Sequence, residues 1–496
     1  MSKIEIKDLT FGFDNLAEPL FDHTNLTIDT QWKLGLIGRN GRGKTTLLQL
    51  LLGKYAYSGI IKHQLEFTYF PQKISDKTLL TYDCLQALAV FDLWEIEREL
   101  NLLQTNPEIL WRPFDSLSGG EQTKILLALL FIDDHHFPLI DEPTNHLDIM
   151  ARQQVANYLQ AKRNGFIVVS HDRSFVNEVV DHVLSIEKSQ LVLYQGNFST
   201  YEEQKEQRDH YEQEENRKLK KEIGRLKQTA AEKAEWSRGR ERDKQGNPNQ
   251  KGSGAIYDTG AIGARAARTM KRSKAIVNRM EEKAEEKKGL LHDIEDVDSL
   301  TINYQPSYHK QLLKVEKLQL SYTEQPLFSP ISFEIEQGQR LAIQGANGSG
   351  KSSIIQFLLD EFTGVASGKA TFAHDLSISY VRQNYEDNTG TLQEFAQAHH
   401  LSYEELLNNL HKLGVERKVF ANRIEKMSLG QRKRVELAKS LATPAELFIW
   451  DEPLNYLDVF NHEQLEAVIQ SVQPSMLVVE HEATFLKNIA TKMIYL

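Results

Sequence analysis

Cysteine is all but missing from this chain of 496 residues: Cys84 stands alone. No intrachain disulfide and no cysteine-based zinc site can form, and such usage fits a reducing compartment. Long hydrophobic runs are missing too. The longest, Ile125 to Ile132, is eight residues, well short of the ~20 that a membrane-spanning helix needs. The N-terminus alternates charged and apolar residues (Lys3, Ile4, Glu5, Ile6, Lys7), which argues against a signal peptide. Nor is there an excess of positive charge. Lys and Arg number 59 against 69 Asp and Glu, for a formal net charge of −10, so the surface as a whole is not expected to coat nucleic acid. These absences predict a soluble, cytoplasmic protein, and the length predicts two or more domains.

What is present is a repeat. Gly38-Arg39-Asn40-Gly41-Arg42-Gly43-Lys44-Thr45 recurs as Gly345-Ala346-Asn347-Gly348-Ser349-Gly350-Lys351-Ser352. Each copy follows a short apolar run (Leu34 to Ile37; Leu341 to Ile343) and precedes a helix-like stretch (Leu47 to Leu52; Ile354 to Leu359). Strand, glycine-rich loop and helix form the context in which backbone N–H groups close around phosphates. Further elements recur in the same order: Gln72 and Gln383, Leu117 to Gln122 and Met427 to Gln431, Phe137 to Asp148 and Leu447 to Asp458, and finally His171 and His481. The repeat predicts two α/β P-loop domains, over 1–200 and 307–496.

The chemistry follows from the residue types. Lys44 and Lys351 supply a point charge near the β- and γ-phosphates, and Thr45 and Ser352 a hydroxyl for Mg²⁺. Thr46 and Ser353 follow within the phosphate-binding loops. Asp141 and Asp451 end apolar runs, as a carboxylate that holds Mg²⁺ from the tip of a buried strand should. Glu142 and Glu452, one residue on, are placed to polarise an attacking water.

Ser118-Gly119-Gly120-Glu121-Gln122 followed by Asp141-Glu142-Pro143-Thr144-Asn145-His146-Leu147-Asp148 resembles the signature of ABC-type ATPases. That resemblance implies that Gln72 and Gln383 reach Mg²⁺ and nucleotide, that His171 and His481 are the switch histidines, and that Phe13 and Tyr322 stack on adenine. It also implies two composite ATP sites. Site one would join Lys44, Thr45, Gln72, Asp141, Glu142 and His171 to Ser428, Gly430 and Gln431. Site two would join Lys351, Ser352, Gln383, Asp451, Glu452 and His481 to Ser118, Gly119, Gly120 and Glu121. The second copy departs from the pattern at Leu429, Leu454 and Tyr456. Leu429 replaces a glycine in what reads as a tight loop, so unequal sites are expected.

Residues 201–306 have no counterpart after the second repeat. Tyr201 to Glu235 and Lys274 to Glu295 are dense in charge and read as long solvated helices, a hairpin linker without a globular core. Between them, 237–274 carries ten cations against three acids, a local +7 that leaves −17 elsewhere. With six glycines and one proline it reads as a loop. A basic loop held out on helices suits RNA phosphates, and an apolar tip suits stacking on an unpaired base. Arg238, Arg240, Arg242, Lys244, Lys251, Ile256, Tyr257, Arg265 and Arg268 are its candidate contacts.

Tandem ATPase domains, a linker of this length and no membrane segment resemble the ABC-F group. The first P-loop, the DEPLNYLD segment and the GAIGARAAR linker motif are similar to those of its Lsa-type antibiotic-resistance members. The resemblance implies a monomer with an intramolecular ATPase dimer. Closed on ATP, it would bind the E site of the bacterial ribosome at 23S rRNA, with the linker reaching toward P-site tRNA. It further implies protection from lincosamides, streptogramin A and pleuromutilins, with no DNA and no membrane subunit as partner. A housekeeping ABC-F translation factor and the fused ATPase subunit of a membrane transporter are the alternative readings. The spacings from Lys44 to Leu117 and from Lys351 to Met427, 73 and 76 residues, predict no large inserted arm. The 15 residues after His481 predict no long C-terminal tail.

Overall fold

A computed structural model describes residues 3–13, 19–133, 135–145, 147–243, 271, 275–280, 283, 299–323 and 325–496. The chain divides into two compact units: Met1–Tyr201 with Val297–Leu496, and Glu202–Asp296.

In the first unit each half holds two sheets. β1 (Lys3–Phe11), β2 (Phe21–Asp29) and β4 (Ser58–Lys62) form an antiparallel sheet in the order β2-β1-β4. β3 (Lys33–Ile37), β5 (Glu66–Phe70), β6 (His136–Asp141), β7 (Phe166–Val169), β8 (His182–Glu187) and β9 (Gln190–Gln195) form a second, ordered β5-β6-β7-β3-β8-β9. It is parallel except for the closing β8–β9 hairpin. The second half repeats this. β10 (Gln311–Ser321) lies between β11 (Ile331–Glu336) and β13 (Val365–Phe372), while β12 (Arg340–Gln344), β14 (Ile378–Val381), β15 (Leu447–Asp451), β16 (Met476–Val479) and β17 (Lys492–Tyr495) form a parallel sheet ordered β14-β15-β16-β12-β17.

The burial patterns give the physical reason for each sheet. β7 is apolar and buried throughout, and β15 is buried throughout and apolar up to its last residue, Asp451, as parallel strands covered on both faces must be. β1 instead alternates, Ile4 and Ile6 inward, because one face is solvated. Its register slips between Ile6 and Leu9, where Asp8 takes φ 53°; β10 slips likewise between Val315 and Leu318, at Lys317 with φ 46°. Opposite each bulge stands a glycine. A Cβ on Gly59 would lie 2.3 Å from the Asp8 carbonyl oxygen, and one on Gly368 would lie 2.4 Å from that of Lys317. A bulge whose backbone closes on the neighbouring strand leaves room for glycine alone.

Each half carries a helical layer over the parallel sheet. Leu85, Ile96, Leu100, Leu110 and Ile125 form the first, and Leu392, Phe395, Leu406, Leu410 and Val435 the second. Each such side chain contributes about 1.5–3 kcal/mol on burial. Residues 300–305, which the sequence pattern assigns to the linker, belong to this second layer. Leu300 is in its core, Asn303 N–H donates to the Leu441 carbonyl, and Gln305 N–H to that of Ala445. The apolar Leu300, Ile302 and Tyr304 alternate like a strand edge, a signal the charge of the flanking stem obscures.

The second unit contains most of the helix Phe198–Asp243, which at 46 residues is about 69 Å long. Residues 275–280 are also helical. The expected start of the basic loop at 237 is therefore corrected: the backbone at Arg238, Arg240 and Arg242 is helical. Gly239 does not break the helix, because the surrounding residues are strong helix formers. Lys244, Lys251, Ile256, Tyr257, Arg265 and Arg268 lie outside the described residues. Among the described residues no helix is long and apolar enough to cross a membrane.

Candidate active site

Both P-loops are built alike. Gly41 and Gly43 take φ 84° and 97°, and Gly348 and Gly350 take 79° and 95°, the left-handed region that turns successive N–H groups toward one point. The lysines that end the loops lie across them. Lys44 Nζ donates to the Gly38 carbonyl at 2.6 Å and to Asn40 Oδ1 at 3.2 Å. Lys351 Nζ donates to the carbonyls of Gly345 and Ala346 at 2.9 and 2.8 Å. Burial lowers the pKa of both, so an incoming polyphosphate restores to each ammonium the charge compensation that burial removes.

The loops meet the opposite half through a pair of carboxylates that the sequence reading did not single out. Asp148 caps the helix Ile149–Ala161, accepting from Ala151 N–H at 2.8 Å, and its other oxygen accepts from Asn347 N–H at 3.2 Å. Asp458 does the same from the second half, with Asn461 N–H at 2.9 Å and Asn40 N–H at 2.7 Å. Each carboxylate thus joins its own helix N-terminus to the other half's phosphate loop. Their signal was present: both end the repeated Asp-Glu-Pro segments, one residue before a helix.

Site two is assembled. Gly348, Lys351, Ser352, Gln383, Glu452 and His481 line one cleft of about 970 Å³ together with Ser118, Gly119, Gly120 and Glu121 from the other half. Tyr322 lines the same cleft and is 54 % exposed, its hydroxyl 3.1 Å from Ser353 Oγ. Ser118 caps the helix Gly119–Leu130, and Glu121 returns a bond to the Ser118 N–H, so the helix N-terminus faces the cleft. Glu452 adopts a left-handed φ of 47°. Burial raises its pKa, but His481, its Nε2 3.6 Å away, Gln383 and the Asn455 amide that donates at 2.8 Å outweigh burial and bring it to about 2. Burial and the Glu452 charge push Asp451 up to about 6.

Site one brings together its own half. Thr45 Oγ1 donates to Asp141 Oδ2 at 2.8 Å, Tyr69 donates to the same oxygen at 3.0 Å, and His171 Nε2 lies 3.0 Å from Glu142 Oε1. Glu142 also has a left-handed φ, 54°. Here burial pushes the carboxyl up to about 8, against the pull of Lys44, and holds His171 well below the usual imidazole range. Two spaces adjoin its residues. About 40 Å³ adjoins Glu142 and His171, and about 580 Å³ lies beside Asn40 and Gly41, facing Arg434 and Asp458. Ser428 and Gly430 line neither; Ser428 caps the helix Leu429–Ala442, with Gln431 completing the box. Phe13 is 38 % exposed and packs edge-on to Phe11 at 5.2 Å.

Leu429 does not occupy a tight loop. It is the first residue of a helix, half exposed, with no left-handed φ, so a side chain there costs the backbone nothing. The inequality of the sites lies elsewhere, in the cavity and the glutamate environment.

The donor sets fit Mg²⁺: each pairs a hydroxyl, Thr45 or Ser352, with a carboxylate, Asp141 or Asp451. Among the described residues Gln72 Oε1 and Asp451 Oδ1 are buried with no hydrogen-bond partner, and hard oxygen acceptors left over in this way suit that ion.

Comparison with known proteins agrees with this geometry. The ABC transporter family matches residues 21–145 and 328–455, just over half of the chain. The chain is similar to the ribosome protection protein VmlR of Bacillus subtilis, 28% identical over 98% of this chain and 85% of that protein. It is also similar to the erythromycin resistance ATP-binding protein MsrA of Staphylococcus epidermidis, 27% identical over 98% and 97%. Its fold is that of the archaeal ribosome recycling factor aABCE1, solved with the stalk protein aP1: TM-score 0.61, 17% identity, 98% of this chain and 87% of that one. The chain belongs to the ABC transporter family and is a tandem-domain ATPase of the ABC-F kind.

Proposed function

We propose that the chain is an ATP-driven ribosome clamp that protects the peptidyl-transferase centre from antibiotics. The observation that carries this reading is the reciprocal one: each P-loop amide is held by a carboxylate of the other half, within a single chain. Two ATPase domains so joined need no second subunit to form composite sites. ATP binding at site two, between Lys351 and Ser118, draws the halves together, and hydrolysis lets them part. Glu452 accepts the proton of the attacking water, and His481 and Gln383 hold that carboxylate in place. Mg²⁺, held by Ser352, Asp451 and Gln383 and in site one by Thr45, Asp141 and Gln72, neutralises phosphate charge when bound.

The names of VmlR and MsrA support a resistance role, and that of aABCE1 a ribosomal partner. In this reading the ATP-closed form occupies the E site of the bacterial ribosome, against 23S rRNA, in the cytoplasm. The linker, through Arg238, Arg240, Arg242, Lys244, Lys251, Ile256, Tyr257, Arg265 and Arg268, meets rRNA and P-site tRNA. Lincosamides, streptogramin A and pleuromutilins are the drugs displaced.

The test is a Glu142→Gln/Glu452→Gln double variant. With ATP it should sediment with ribosomes at near-stoichiometric yield, and a host expressing the parent should tolerate the three drug classes. Sedimentation that ignores ATP removes the clamp. Sedimentation without drug tolerance leaves a housekeeping translation factor, and recovery with membranes instead leaves a transporter subunit.

A further inference from the structure

Beside Glu142 and His171, its His462 and Glu482 lining the same small space, lies a buried ionic cluster to which no motif assigns a role. The residues that follow the switch histidines begin two short helices, Arg173–Val179 and Ala483–Ile489, and these touch across the halves: Ser174 Oγ and Thr484 Oγ1 are 2.9 Å apart. Beside that contact Arg173, 7 % exposed, crosses from the first half into the second. Its NH2 donates to Glu466 Oε1 at 2.9 Å, and its Nε lies 3.7 Å from Glu482 Oε1. Glu482 in turn faces His462 Nδ1 at 2.9 Å, and Asn488 donates to the other Glu466 oxygen at 2.8 Å.

The repeat makes this arrangement informative. Arg152 and Asp172 form an ion pair at 2.8 Å in the first half, and His462 and Glu482 occupy the corresponding positions in the second. The position corresponding to Arg173, however, is Ala483. The clamp is therefore one-sided: a single arginine serves both halves. Stability alone does not call for it, because buried ion pairs are commonly replaceable by neutral side chains without loss of fold. What it does supply is geometry. Arg173 is two residues from His171, and its partner Glu482 is next to His481, so one guanidinium fixes the relative position of both switch histidines.

We infer that Arg173 is a positioning residue for ATP hydrolysis, acting across the domain boundary through Glu466 and Glu482 to hold His171 and His481 in register. Hydrolysis requires each histidine within hydrogen-bond reach of its glutamate and the attacking water, and small displacements there cost rate rather than ATP affinity.

The test uses the full chain. Arg173→Met with Glu466→Gln removes charge from both sides, so no buried partner is stranded at Glu466. Its kcat should fall about tenfold while KM for ATP stays within about threefold, the pattern of lost transition-state geometry, with a melting temperature close to the parent's. Arg173→Lys, which keeps the charge, should recover at least half of kcat. Glu466→Gln alone, which leaves Arg173 its contact with Glu482, is the second variant should the double one not fold, and should lose about threefold in kcat at unchanged melting. A kcat within twofold of the parent in the double variant, or in Glu466→Gln where only that variant folds, overturns the inference. So does a loss that appears in KM alone or follows the melting temperature.

Discussion

Around the second P-loop the two halves leave one cleft of about 970 Å³ with both partners' residues in its walls; around the first, about 580 Å³ lies beside Asn40 and Gly41 and a separate space of about 40 Å³ at the glutamate. The same motif sits in both places. The difference comes from what surrounds it. Asn455 donates to Glu452 at 2.8 Å and His481 and Gln383 stand close by, which hold it near 2 against burial, whereas burial around Glu142 outweighs its neighbours and drives it to about 8. The signature helices differ as well. In the first half the helix is apolar and buried from Ile125 on, with Leu126 at the position that Glu436 takes in the second. Glu436 is fully buried and bound by Arg382, Lys439 and Asn388. In the proposed reading a repeated motif sets the reaction, while the residues between motifs decide which copy is ready to perform it.

The largest expected effect separates the sites by blocking each signature. A Cβ on Gly120 would meet only the Leu147 side chain at 3.5 Å, so Gly120→Asp is tolerated by the fold but sets a carboxylate where phosphate must lie. Steady-state turnover should drop about 10³-fold. Gly430→Asp, on the signature that lines neither space of site one, should cost under about fivefold by the same assay.

The buried Glu436 cluster is next. Burial opposes ionisation there, but Lys439 and Arg382 outweigh it and bring the carboxyl from an ordinary 4.5 to about 2. A depressed carboxylate adds stability above its unfolded pKa and loses it as pH falls through the folded one, here from about 4.5 down to 2, amounting to about 3 kcal/mol. Glu436→Gln should therefore destabilise the second half at pH 7 and hardly at all near pH 2, read by chemical denaturation across that range. An equal cost at both ends would mean that packing rather than charge is responsible.

A third comparison uses pH and activity. With Glu452→Gln, only site one turns over. Its Glu142 must lose a proton to act as base, so the rate at pH 9 should be about tenfold that at pH 7. With Glu142→Gln, site two should stay flat over that range, since Glu452 is already ionised. The smallest effect concerns the bridging carboxylates. Asp458, the more buried, should cost about 2 kcal/mol as Asp458→Ala and Asp148 about 1 kcal/mol as Asp148→Ala, both by thermal melting.

The motifs that do the chemistry were legible in the sequence because each is local: a loop, a strand tip, a helix start. Lys44 and Lys351 lie across their glycine loops, and Lys351, Gln383 and Glu452 line one cleft; that these residues hold ATP and Mg²⁺ belongs to the proposal. What spacing could not reveal is the environment between halves. Leu429 reads as a disruption in a string of letters, yet lies harmlessly in a helix. Arg173 and His462 carry no motif, and only packing shows that the first reaches a cluster in the other half and that the second is buried in it. The linker was misjudged at both ends for opposite reasons: strong helix formers carried the helix through Gly239, and three apolar residues tied 300–305 to the second core.

The unequal sites are the centre of the account, and single-site turnover tests them most directly. Steady-state ATP hydrolysis by Glu142→Gln and by Glu452→Gln, at pH 7 and saturating ATP, should differ by at least about tenfold, the Glu452 variant being the slower. Equal losses in the two variants would contradict it.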